Sequence, residues 1–154
     1  MIDLNFKEKT VGFYLALSAA VLSIIAGIVY LVAYSGSVYL NVAGATLAIV
    51  AGILFMVMSL FKPTQPFAAL VEFVLIFIGF VVFINSSYLY FSEILFGKSN
   101  LAEIFEGLGT MNPNYAVCLL FFLIATVLSN IGIYMKPVKG FNNYTQETVK
   151  EGNN

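Results

Sequence analysis

The sequence predicts an all-α integral membrane protein: a four-transmembrane-helix bundle, N-in and C-in, with a short amphipathic helix in its second outer loop. Three observations carry that expectation. Of the 154 residues, 60% are hydrophobic and 10% charged, against about 25% charged in soluble domains. Four apolar runs, near residues 11–34, 41–61, 67–91 and 115–135, have the length of roughly 20 helical residues that crosses about 30 Å of hydrocarbon. The lysines are unevenly placed. Lys7, Lys9, Lys62, Lys136, Lys139 and Lys150 share one side of a four-span topology, while Lys98 stands on the other beside Glu93, Glu103 and Glu106. Lysines near span ends favour the cytoplasm, which fixes the expected orientation.

The first run has a positive start and a small-residue stretch, Ser18-Ala19-Ala20, as a signal peptide does. Its apolar length, about 24 residues, exceeds the roughly 7–15 of a signal core, so a retained helix is expected. Within it, Ala19, Ser23 and Gly27 recur every fourth residue, and Gly44, Ala48 and Gly52 do the same in the second run. In lipid, small residues join helices by letting backbones approach, so the two ladders are expected to face each other. Lys62-Pro63-Thr64-Gln65-Pro66 makes a tight turn whose prolines stop one helix and start the next. Lys-Pro also follows the fourth run, as an ordinary helix stop.

The third run carries Phe73, Phe77, Phe80 and Ile84 as a bulky stripe for lipid or a partner helix. Tyr30, Tyr34, Tyr39, Tyr88, Tyr90, Phe91 and Tyr115 fall at the outer level, where an aromatic belt is expected. In the outer loop, Asn100 and Glu103 have capping-box spacing. Leu101, Ile104, Phe105 and Leu108 then follow helical periodicity, opposite Glu103 and Glu106. This short helix either lies flat on the outer leaflet or lids the bundle. Residues 138–154 are polar, without apolar period, and are expected to be a disordered cytoplasmic tail.

Glu72 interrupts the third apolar run. It lies five residues after Phe67, about 7.5 Å into the bilayer at 1.5 Å per residue. A carboxyl group there faces inward and seeks a polar partner. Glu72, Gly79 and Ser86 form a small and polar seam, with Ile76 and Phe83 between them. Asn130 lies at matching depth in the fourth run and is the expected partner, with Ser129 beside it, Ser59 on the second helix and Ser18 on the first. Two meanings compete for Glu72: interhelical glue, or a proton or cation site.

The function classes narrow by composition. There is no His and one cysteine, Cys118, so neither an internal disulfide nor a cysteine-rich metal site can form. No Arg, paired carboxylates or phosphate-binding glycine loop is present. No cofactor, metal or nucleic acid is expected, and no enzymatic activity. Four helices with one membrane Glu also describe small multidrug transporters, but their acid belongs to the first span. The first reading is an accessory or assembly subunit working through helix contacts with the lipid bilayer, a membrane protein partner or further copies of itself. The alternative is a small oligomeric transporter or channel using Glu72. Size and composition suggest the bacterial inner membrane.

Overall fold

Five helices account for nearly all the described residues: α1 (Val11–Ala33), α2 (Val42–Ser59), α3 (Gln65–Leu95), α4 (Leu101–Gly109) and α5 (Pro113–Tyr134). The computed structural model describes residues 9–95, 98, 100–110 and 112–135. The tail at 138–154, and Lys7, Lys136, Lys139 and Lys150 of the lysine pattern, lie outside the described residues. Four helices, all except α4, are long and apolar enough to cross a membrane.

The four long helices form a ring in the order α1, α2, α3, α5. Each packs along both its neighbours, and α1 meets α3 only slightly across the middle. One end of the bundle gathers the start of α1, the α2–α3 turn and the end of α5; we call it the terminal end. The other holds the α1–α2 turn and α4.

Local chemistry sets the helix boundaries. Gly36 adopts φ 79° in the α1–α2 turn, a left-handed conformation that favours glycine. Asn41 caps α2 by accepting from the Ala43 N–H at 3.0 Å. At the α2–α3 turn, carbonyls left free by the ending helix find side chains: the Thr64 hydroxyl donates to Met58 O at 2.7 Å, and Gln65 Nε2 to Ser59 O at 3.0 Å. The third helix begins at Gln65, two residues before the expected Phe67, because Pro66 sits inside its first turn. It also runs to Leu95 rather than Phe91. Asn100 accepts from the Glu103 N–H at 2.9 Å, and its own amide donates to Glu103 Oε1 at 3.0 Å. The reciprocal bond of this cap is therefore side chain to side chain. Pro113 opens α5, with Asn112 as its cap.

The two small ladders do not meet rung for rung. A Cβ added at Gly52 would stand 2.5 Å from Ala20 O, and one at Gly27 2.8 Å from Ala45 O, so these glycines hold α1 against α2. Gly44 instead faces α3, 3.3 Å from Gly79 O by the same measure. The cause is helical geometry: two steps of four residues turn the direction by about 80° at 100° per residue. On α1, Gly12 abuts Met135 and Ala16 abuts Gly132, so the same helix uses another small face against α5.

The interior has three layers. Phe13, Ala16, Ala20, Phe55 and Ala68 fill the terminal end. Ala51, Ile76 and Ala125 form a thin middle. Tyr30, Tyr34, Phe83, Tyr115, Cys118 and Phe122 dominate the α4 end. This last layer corrects the expected aromatic belt. Tyr30 and Tyr115 are fully buried, Tyr34 nearly so, and Tyr88 is exposed. The rings face inward because Ser23, Ala26, Tyr30 and Tyr34 continue the buried face of α1 at helical spacing. The phenylalanine stripe of α3 is divided: Phe77 faces outward, while Phe80 stacks on Phe122 of α5 at 6.0 Å.

Candidate functional site

Glu72 is fully buried on the inner face of α3, between the terminal-end layer and the thin middle. Ala68 is one turn before it and Ile76 one turn after, both buried. Opposite stands Ser129 of α5, equally buried, whose hydroxyl donates to Glu72 Oε2 at 3.2 Å. The expected partner was Asn130, and the structure assigns the bond to its neighbour. Depth alone does not choose between them. Consecutive residues point about 100° apart on a helix, which puts Ser129 inward and leaves Asn130 half-buried at the side.

The other candidates are dispersed. Ser59 is buried at the end of α2, where its hydroxyl donates to Met56 O at 2.8 Å. Ser18 is on the outer surface of α1 and bonds back to Tyr14 O at 2.9 Å. Of the five polar residues singled out, Glu72 and Ser129 are joined, Ser59 lies one layer away, and Ser18 and Asn130 stand apart. On the inward seam, Gly79 packs against Gly44, and Ser86 lies 2.9 Å from the Tyr30 hydroxyl.

The carboxyl group is incompletely satisfied. Its Oε1 is buried with no protein hydrogen-bond partner, against the general rule for buried polar atoms. Above it, at the terminal end, lies a cavity of about 220 Å³ whose lining includes Phe13, Phe55, Ser59, Gln65, Ala68 and Gly132. Ala68 precedes Glu72 by one turn and Gly132 follows Ser129 by three residues, so the acid sits just beneath the cavity without lining it. Lys9 marks this end, its Nζ 5.2 Å from the centre of the Phe13 ring.

A second polar centre lies near the α4 end, and its tyrosines had been expected in a surface belt. The Tyr30 hydroxyl donates to Tyr39 O at 2.7 Å, accepts from the Asn41 N–H at 2.8 Å and shares a hydrogen bond with Ser86. It ties α1 to the start of α2 and to α3. The hydroxyls of Tyr34, Ser87 and Tyr115 are buried in the same part of the bundle without a hydrogen bond of ordinary geometry, although Ser87 stands close enough to Tyr115 to interact with it. Among the described residues, no three His, Cys, Asp or Glu side chains gather to hold a metal ion.

Chemically, the Glu72–Ser129 pair can bind across two helices and exchange a proton; it lacks the second acid or base that a relay needs. Comparison with protein-family models, curated proteins and solved structures finds no match.

Proposed function

We propose that this chain is a non-enzymatic integral membrane protein acting through helix contacts, as an accessory or assembly subunit of a larger membrane complex. It has its terminal end in the cytoplasm, and the bacterial inner membrane is the setting that fits its size and composition. One observation supports this over transport. Beyond the thin middle layer, the interior toward the α4 end is filled by rings in contact: Tyr30 on Phe83 at 5.0 Å, and Phe83 on Tyr115 and Phe122 at 5.2 Å each. Such packing builds a stable scaffold and opposes passage of a hydrated solute. The partner is another membrane protein or a second copy of this chain.

A second reading, an oligomeric transporter with Glu72 as its proton or cation site, draws on the unpartnered Oε1 and the cavity above it. Affinity capture in mild detergent, paired with proteoliposome flux assays, separates the two. The accessory reading expects a stoichiometric membrane partner whose assembly survives Glu72→Gln, with no flux. Cation or proton flux by the purified chain, abolished by Glu72→Gln while the fold persists, overturns it.

A further inference from the structure

The connection between α3 and α5 is not a free loop. The Tyr90 hydroxyl on α3 accepts from the Asn112 N–H at 2.7 Å, immediately before α5 begins. α4 ends three residues earlier and packs against α3. The short helix is thereby held level with the ends of two membrane-spanning helices.

Its faces divide three ways. Gly107 is buried and marks the side turned to the protein, with Ile104 and Leu108 half-buried at the margin. Leu101 and Phe105 lie about 120° and 160° around the helix from Gly107, and both are largely exposed, at 72% and 69%. Glu106, also exposed, lies about 100° away in the other sense. A lid over the bundle would turn Leu101 and Phe105 inward, whereas here they point away from it. At the same end of the bundle, α3 also exposes Tyr88 and Leu89.

We infer that α4 is a membrane-interface anchor, with Leu101 and Phe105 inserted among the lipids at the headgroup–acyl boundary and Glu106 left in water. A helix with an apolar edge and a charged edge at span-end height takes this position because each edge then meets its own solvent. The acidic edge makes the contact independent of anionic headgroups. Its structural consequence is to fix the spacing between the ends of α3 and α5.

The chain has no tryptophan, so one introduced indole reports its surroundings alone. The full chain carrying Phe105→Trp is reconstituted in phosphatidylcholine vesicles, with Glu106→Trp as the water-edge comparison and Leu101→Trp as a second reporter of the apolar edge. Expected are blue-shifted emission for Phe105→Trp and Leu101→Trp and several-fold stronger quenching by phospholipids brominated near the headgroup. Acrylamide should quench Glu106→Trp preferentially. Equal acrylamide quenching on both edges would place α4 in water. Protection of the apolar edge from both quenchers would mean that protein covers it. Either result overturns the anchor, and Leu101→Trp decides alone if Phe105→Trp fails to fold.

Discussion

Glu72 and Ser129 form an unequal pair: the serine can satisfy itself on its own helix, and the acid cannot. A helical serine hydroxyl can bond to the carbonyl four residues back, whereas Glu72 has Ser129 as its protein donor and an Oε1 with none. Ser129→Ala should therefore destabilise the bundle by about 1–2 kcal/mol, within the range for membrane hydrogen bonds. Glu72→Gln should be milder, since an amide of the same length still meets the hydroxyl. Adding Glu72→Leu to Ser129→Ala should restore part of the loss, because removing both partners leaves nothing buried and unpaired. Unfolding in mixed detergent micelles measures all three, and a double variant worse than Ser129→Ala would refute the argument. The buried tyrosines give a parallel contrast one turn apart. Tyr30→Phe gives up bonds to Tyr39, Asn41 and Ser86 and should cost about 1–3 kcal/mol. Tyr34→Phe removes a hydroxyl with no protein hydrogen bond and should be close to neutral. Equal losses at the two positions would show that Tyr34 has a partner after all.

At the scale of the helix, contact direction matters more than residue size. Gly52 and Gly44 read alike in sequence, yet alanine at Gly52 drives a Cβ into the α1 backbone at Ala20 O, while at Gly44 the nearest atom is a Val82 methyl at 3.1 Å. The methyl can shift, and Gly79 O at 3.3 Å from the same Cβ needs only a few tenths of an ångström, whereas Ala20 O at 2.5 Å forces the packed backbones apart. Gly52→Ala should cost about 1–3 kcal/mol, as overpacking does, and Gly44→Ala less; thermal unfolding in detergent ranks them, and the reverse order would contradict the packing. This difference also shows what was legible in the sequence. Apolar length and charge depletion were sufficient to find four long helices, and the Asn100–Glu103 spacing located α4. Relative level along the bundle was legible too, since Glu72 meets α5 one residue from the expected Asn130. Azimuth was not. Fourfold spacing drifts about 40° per step, which turned one expected ladder into two faces, and the roughly 100° between consecutive residues exchanged Asn130 for Ser129. The aromatic belt failed for a related reason. Level along the bilayer says nothing about which way a ring points, and only the run Ser23, Ala26, Tyr30, Tyr34 carried the inward signal.

Over the whole molecule, the ring of four helices separates an aromatic-filled half from a half that holds an acid and a cavity, so orientation decides which half faces the cytoplasm. Lys62 lies exposed in the α2–α3 turn and Lys9 is buried just before α1, both at the terminal end, with Lys98 in the connection at the other. On the proposed orientation, with lysine-bearing ends in the cytoplasm, the cavity above Glu72 is expected to face the cytoplasm. The native cysteine makes this testable without a cysteine-free background. Cys118 is fully buried among the rings of the α4-end layer, so a membrane-impermeant maleimide should leave the folded wild-type chain unlabelled from either side. Thr64→Cys and Thr145→Cys should then label only after the cells are permeabilised, while Lys98→Cys should label in intact cells. Labelling of Thr145→Cys from outside would invert the topology and turn the cavity outward. Labelling of the wild type would show that the aromatic layer opens in the membrane, removing the packing argument against a passage through the bundle.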